Sequence, residues 1–591
     1  MMRIALILVL SFALTHSQWA EATRRRLRFL TRHPANTPVY SAQSESLALE
    51  KILRIQDQRL SKDPYVINAL HHPSPRVVQA AILALGRIGD PNAIEGLSVF
   101  LTRRDPDMKK RVAFSLGLIG GGLSYKLLSQ AAAMEKDPDA RGALYLAMGR
   151  CGIEATIVLL NKALINETRE SVSGNIAEGI GLLWSGDSAK WAVPQGIISK
   201  LIALSKLKSP ASISAAFALS RFKGEPNFVP VDELLDAISK SPYPFAQGLL
   251  CRCLAKIQNP NLATNLAALL VSPAQLPLKI EAAKALRGRS IAAPALAALK
   301  QVLLETNAPL LVSGLETIGS YGAAAAELQE SVDAAFRNSK SGWVKSIALK
   351  ALCRIAPAVG RRRVMDILQV SASPLYPAAV TSLVILGEDA DLTLYVSYLT
   401  KLDSKLIGES LDAWLGLPAE IVPEKIRLTL KALLDRADMG LSSQIAELAT
   451  QNKWKDFAAP LANLYPKFKE EDQVEVKISL LNALGSIGSE AEVSLIEQCL
   501  KDNDKLVVTA AVGALKALTG KDYSSLIPIN STITQELPAW TAIQTALNAR
   551  VVLKTTRGEI EVKMAADTPV TSYHFVNFAR THFYEIGRAH V

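Results

Sequence analysis

Apolar positions near the start of the chain fall on one helical face, and that face then recurs. Val77, Val78, Ala81, Ile82, Leu85 and Ile88 are spaced three and four apart as a single stripe, the pattern of an amphipathic helix. Ser74-Pro75 stands in front of the stripe, with Gly86 and Gly89 at its end. The same bracket returns as Asp105-Pro106 with Gly117 and Gly120, and as Asp137-Pro138 with Gly149 and Gly152. Ser or Asp accepts hydrogen bonds from the free amides of a helix start, Pro in the first turn loses no intrahelical bond, and the last Gly takes the left-handed conformation that ends the helix. Asp90-Pro91 opens a second helix at once, with Ile94, Leu97 and Leu101 facing inward. The period of 31 to 32 residues holds two short antiparallel helices, which is the content of an α-solenoid.

Weaker copies continue the pattern at Ile213 to Arg221, Ile280 to Leu286, Val344 to Ile355 and Ala378 to Gly387, and it is plain again at Val476 to Gly488 and Val507 to Leu518. One mainly α array of roughly fourteen helix pairs is therefore expected over residues 44–548. The run Ser74-Pro75-Arg76-Val77-Val78-Gln79-Ala80-Ala81 through Leu85-Gly86-Arg87-Ile88-Gly89 resembles the short bacterial kind of HEAT repeat, D-P-x-x-R-x-A-A-x-A-L-G-x-I-G.

Composition narrows what such an array does. A net charge of +11 over 591 residues is too dilute for a nucleic-acid-binding face. Five cysteines, Cys151, Cys251, Cys253, Cys353 and Cys499, are too few and odd in number for a disulfide scaffold. Cys251 and Cys253 lie two apart on a predicted helix and point to different sides, so they neither pair nor chelate easily; burial of one or both as small hydrophobes is the expectation, and Cys151 falls at a core position of the repeat. The histidines are His16, His33, His71, His72, His574, His582 and His590, which leaves residues 73–550 without an imidazole. That argues against a Ser-His-Asp site, a zinc hydrolase, or the His-Glu metal pairs of iron-dependent HEAT-repeat hydroxylases. No cofactor or metal is expected. Arg361-Arg362-Arg363 is read as a solvated face, with an anion-binding patch as the other reading.

Residues 1–22 read as a signal peptide: Arg3, an apolar run from Ile4 to Leu14, and Ala20-Glu21-Ala22 as a small-x-small cleavage site. The run is too short to span a bilayer, and no later segment suffices, so no transmembrane segment is expected. Arg24, Arg25, Arg26, Arg28 and Arg32 make residues 23–43 a basic arm, either solvated or touching anionic lipid. The expected location is exported, periplasmic or extracellular, in a bacterium.

After Asn530 the helical pattern fades, and one more helix is expected from Thr541 to Ala549. Val551 to Thr556 and Glu559 to Lys563 then alternate as strands joined by Arg557-Gly558, a β-hairpin, and Val570 to Thr581 follows as an amphipathic helix with Phe575, Phe578 and Ala579 on one face. Val551, Leu553, Thr555 and Gly558, then Pro569, Thr571, Phe575, Phe578, Ala579 and His582-Phe583-Tyr584, resemble the opening of a cyclophilin-type peptidyl-prolyl cis-trans isomerase, with His574 where that family usually has Asn. On this reading residues 549–584 are the first part of a cyclophilin-type β-barrel; the other reading is a hairpin that caps the solenoid. Glu585 to Val591 do not continue the resemblance and match, codon by codon, a translated short-read sequencing adapter, so residues 585–591 are read as an artefact and Arg588 and His590 are given no role.

The resemblance implies catalysis without a cofactor, in which an arginine stabilises the twisted amide of an X-Pro bond beside an apolar pocket. None of the residues that the family uses for this lies within the sequence, and a piece this short closes no core of its own. The function expected is an exported prolyl isomerase whose HEAT solenoid binds proline-containing client polypeptides or envelope proteins, with no nucleic acid. The alternative is a non-enzymatic protein-binding scaffold.

Overall fold

A computed structural model describes residues 42–583, apart from 62, 187–192, 195, 224–228, 260, 371–372, 412, 416–421, 471–472, 529–530, 532–536 and 556–557. The signal peptide, nearly all of the basic arm and the tail from Tyr584 lie outside the described residues. The chain divides into two compact units, Met1–Glu50 and Lys51–Val591, with the division inside the helix Ala42–Asp57.

The predicted repeats form. Helices Pro75–Ile88, Pro106–Ile119 and Pro138–Arg150 start where the Pro brackets place them. Asp105 accepts from the amides of Asp107 and Met108 at 3.0 and 3.2 Å, and Asp137 from that of Ala140 at 2.8 Å. Ser74 departs from the expectation, since it makes no side-chain cap; it is buried, and its amide donates to Nδ1 of His72 at 3.1 Å. Gly89 ends its helix in the left-handed region at φ 77°. The helix expected from Asp90 begins as a 3₁₀ turn, Pro91–Ala93, before Ile94–Ser98, with Ile94, Leu97 and Leu101 all buried.

The weaker copies are helices too: Ala211–Arg221, Leu276–Leu286, Gly342–Ile355, Tyr376–Leu386, Val474–Ile487 and Lys505–Thr519. These and their equivalents form a first layer in which each helix packs directly on the first-layer helices of the neighbouring repeats, and the intervening helices form a second layer. A first-layer helix is thus covered on several sides. Pro138–Arg150 buries Ala140, Leu144, Ala147 and Met148 around much of its circumference, which is why its apolar stripe is broad and hard to see in the sequence.

Close stacking explains the glycine inside each motif. A Cβ on Gly149 would lie 2.2 Å from the carbonyl oxygen of Gly179, one on Gly86 would lie 2.6 Å from Cα of Ser115, and one on Gly485 would lie 2.8 Å from Cα of Ala514. Small residues face small residues along the first layer, so the backbones nearly touch.

Side chains from one repeat also finish the helix of the repeat before it. Lys223 Nζ donates to the carbonyl of Gly186 at 2.7 Å, Lys256 Nζ to Phe222 at 2.8 Å, Arg289 Nη2 to Ala255 at 2.9 Å, and the Tyr321 hydroxyl to Leu286 at 2.9 Å. Each acceptor sits at or just past the C-terminus of a first-layer helix, where carbonyls lack intrahelical partners and positive charge is favoured. Burial holds the Lys256 ammonium below its ordinary pKa and pushes the Tyr321 hydroxyl up to about 12. At the opposite end, Glu167 receives Arg141 Nη2 at 2.9 Å and the amide of Arg169 at 2.9 Å. Burial raises the Glu167 carboxyl, but these bonds outweigh it and the pKa lies below the usual range.

The C-terminal segment forms the expected hairpin, Arg550–Thr555 antiparallel to Gly558–Lys563 with Val551 opposite Val562 and Thr555 opposite Gly558, followed by the helix Pro569–Arg580.

Candidate functional site

Among the described residues, the chemical groups that sequence reasoning singled out do not converge on a reaction centre. Among the described residues no group of three His, Cys, Asp or Glu side chains is placed to hold a metal ion. A shallow, open depression at Asp389, Thr393, Leu394 and Ser397 lies on the single helix Asp389–Leu399 and gathers no nucleophile with a base.

All five cysteines are free thiols and all are buried, which meets the expectation for Cys151, Cys251 and Cys253 and extends it to Cys353 and Cys499. Cys251 and Cys253 are both enclosed although they point to different sides of Pro244–Ala255, because that first-layer helix is covered on more than one side. Burial pushes the thiols of Cys151, Cys253 and Cys353 up to about 12. A thiolate is the reactive form, so none of the five is expected to react with Ellman's reagent in native buffer and all five are expected to react after denaturation. Rapid labelling of one or more in native buffer would show that the packing around that cysteine opens.

The arginine triplet requires a correction. On the helix Pro357–Leu368, Arg361 meets Asp391 through Nη2 at 2.7 Å and Nε at 3.2 Å, and also reaches Glu388 at 2.7 Å. Arg363 meets Asp333 through Nε and Nη2, both at 2.9 Å. Two of the three guanidiniums therefore clamp neighbouring helices, and Arg362 alone is exposed. The acceptors lie 30 residues away in either direction, close to one repeat, so Arg361 and Arg363 are neither a solvated face nor an anion patch, and only Arg362 keeps the solvated reading. Those paired carboxylates are the site residues that sequence reasoning missed; an Asp one period from an Arg was the available signal.

In the C-terminal segment the residues of the cyclophilin resemblance are brought near one another but only partly covered. Val576, Met564 and Ala546 make a small buried cluster flanked by Val551, Val562 and Phe575. The packed face of the last helix is Ser572 and Val576, not the face expected from Phe578, which is exposed and lies against the ring of Phe583 at 4.8 Å between centroids. A two-stranded hairpin has too little surface to cover a whole helix. His574 stands beside Tyr573 and Phe578, ring centroids 5.3 and 6.2 Å away. Arg87 donates from Nη1 to the carbonyl of Asp567 at 2.8 Å in an exposed contact, which contributes about 1 kcal/mol or less.

What remains is surface, and the repeats decide its character. Residues 47–117 and 63–149 match the family model of HEAT repeats. This stretch is made of HEAT repeats. No curated protein sequence matches the chain. Among solved structures, yeast importin-beta is 13% identical over 80% of this chain and 82% of its own, with a TM-score of 0.45. A second importin-beta structure, in a polyethylene glycol condition, is 11% identical over 77% and 76%, with a TM-score of 0.46. Human deoxyhypusine hydroxylase is 17% identical over 47% of this chain and 98% of its own, with a TM-score of 0.21. None of these likenesses assigns an activity to this chain. The HEAT match covers the repeats whose Pro and Gly brackets are plain; the helices beyond residue 149 keep the same stacking with fewer of the marker residues.

No helix among the described residues is long and apolar enough to cross a membrane. Large apolar side chains nevertheless reach the surface along the array, including Met134 at 76% exposure and Leu304 at 84%. Scattered singly they would need no explanation; several at matching positions of successive repeats make a surface on which a polypeptide can lie.

Proposed function

We propose that this chain is a polypeptide-binding HEAT scaffold, and that its C-terminal segment belongs to a cyclophilin-type prolyl isomerase that acts on the X-Pro bonds of bound clients outside the cytoplasm. The observation that carries the scaffold reading is the exposure of large apolar side chains on a repeat array whose thiols are all buried. The isomerase half rests on the ordered set from Val551 to Tyr584 and on the hairpin and helix that those residues adopt up to Phe583.

The two halves are tested separately. For the scaffold, the purified chain is expected to suppress aggregation of a reduced, unfolded, proline-containing polypeptide at stoichiometric ratio; no suppression and no complex by size exclusion would remove this reading. For the isomerase, this chain is expected to leave the slow phase of a proline-peptide assay unchanged, because the arginine and pocket implied by the resemblance are not in its sequence. Reading the source locus past the Tyr584 codon then decides the assignment. A frame that runs on with Phe-His-Arg supports the enzyme, and a gene that stops after Val591 leaves the scaffold alone.

A further inference from the structure

Exposed apolar side chains concentrate on one edge in the middle of the array. Phe245, Pro277, Pro309 and Trp343 are the second residues of the successive first-layer helices Pro244–Ala255, Leu276–Leu286, Ala308–Ser320 and Gly342–Ile355, and all four are exposed. Val271 ends the second-layer helix Leu262–Val271 and Leu304 follows Ala293–Val302; short loops lead from them into the next first-layer helix, so they lie at the same edge. Exposure is 42% at Phe245, 44% at Val271, 84% at Leu304 and 50% at Trp343. The equivalent second positions at the start of the array are Arg76, Asp107 and Asp139. Elsewhere the same edge carries single apolar side chains, Met134 at the end of Gly121–Met134 and Leu506 as the second residue of Lys505–Thr519; only here do they follow one another through successive repeats.

Its spacing selects the occupant. Packed helices repeat about every 8–10 Å, and a polyproline II chain rises about 3.1 Å per residue with three residues per turn, so it returns to the same face about every 9 Å. One apolar side chain in three therefore meets each successive repeat. Rings of Trp, Phe and Pro are also the surfaces on which polyproline II ligands dock. Along this edge Glu305, beside Leu304, pairs with Lys279 at 3.5 Å, and the cations Lys340 and Lys345 flank Trp343 in the sequence, which leaves a positive excess within a chain of net charge +11.

Resting on the scaffold reading above, we propose that the edge from Phe245 to Trp343 binds an extended, proline-containing segment of a client with an apolar residue at every third position and acidic residues between.

The test uses the full chain and a fluorescein-labelled peptide of five Leu-Pro-Glu units, read by anisotropy. Binding is expected, and the double variant Leu304→Ser with Trp343→Ser is expected to weaken it at least tenfold, with the thermal midpoint unchanged because both side chains lie on the surface. A control pair on the early repeats, Met134→Ser with Val158→Ser, is expected to bind as well as the unaltered chain. A peptide of the same composition with its leucines adjacent should bind at least tenfold more weakly. No binding, equal binding of the scrambled peptide, or an equal effect of both variant pairs would overturn the proposal. So would a fall in molecular mass of the Leu304→Ser, Trp343→Ser variant by light scattering, which would make the tract a contact between copies of the chain. If aggregation suppression survives while the peptide test fails, only the edge is misassigned; if suppression itself is absent, the scaffold reading fails first.

Discussion

Gly149→Ala is expected to lower stability by about 3 kcal/mol, at the upper end of the cost of overpacking by one methyl group. The added Cβ would fall 2.2 Å from a carbonyl oxygen and 2.5 Å from Cα of Gly179. Both atoms are backbone of the neighbouring helix, so no rotamer change relieves the clash and the two repeats must separate. Gly513→Ala provides the opposite sign. That glycine is exposed inside the helix Lys505–Thr519, with nothing within 4 Å of the added carbon. Replacing it removes only the flexibility penalty of a helical glycine and should stabilise by about 0.5–1 kcal/mol. Urea denaturation gives both signs, and hydrogen exchange should place the loss of the first variant in residues 138–185. A Gly149→Ala protein as stable as the parent would mean that the two helices do not make this contact.

Arg361→Ala is the second large effect, expected to cost about 2–3 kcal/mol. Asp391 is 2% exposed and its carboxylate is bound by Arg361; losing the guanidinium strands a buried charge. Breaking a fully buried pair costs roughly 3–5 kcal/mol, and the figure here is lower because the Arg361 side chain is 30% exposed. Arg362→Ala, one residue away, should stay within about 0.5 kcal/mol of the parent, as exposed positions do. Adding Asp391→Ala to Arg361→Ala should recover part of the loss, since the stranded charge goes with it. A loss that is the same with and without the second change would show that the packing of the arginine stem, and not the ion pair, holds the helices.

The contrast between these residues shows what could be read in the chain. Asp105-Pro106 and Asp137-Pro138 act within one helix start, so local chemistry places them and the structure agrees. Arg361 and Asp391 are joined only by the repeat geometry, and a reading that moves along the chain sees three arginines in a row and expects solvent. Ser74 shows a similar limit, because its burial follows from neighbours that cap chemistry does not consider. Helical spacing puts Phe578 on one face with Phe575 and Ala579, but spacing does not say whether a partner surface exists, and a two-stranded hairpin leaves that ring outside. The apolar edge was missed for a related reason. Phe245 and Trp343 look like core residues until the direction of their helices is known.

The donors that close each helix end have a consequence for how the protein is made. Lys223, Lys256 and Arg289 lie 34 to 37 residues after the carbonyls they bind. At bacterial and eukaryotic elongation rates of about 5–20 residues per second, each such helix waits roughly 2–7 s for the side chain that completes it. A chain emerging from the ribosome therefore carries an unfinished helix end through this stretch, handed forward one repeat at a time, and the order of synthesis coincides with the order in which the array can be sealed.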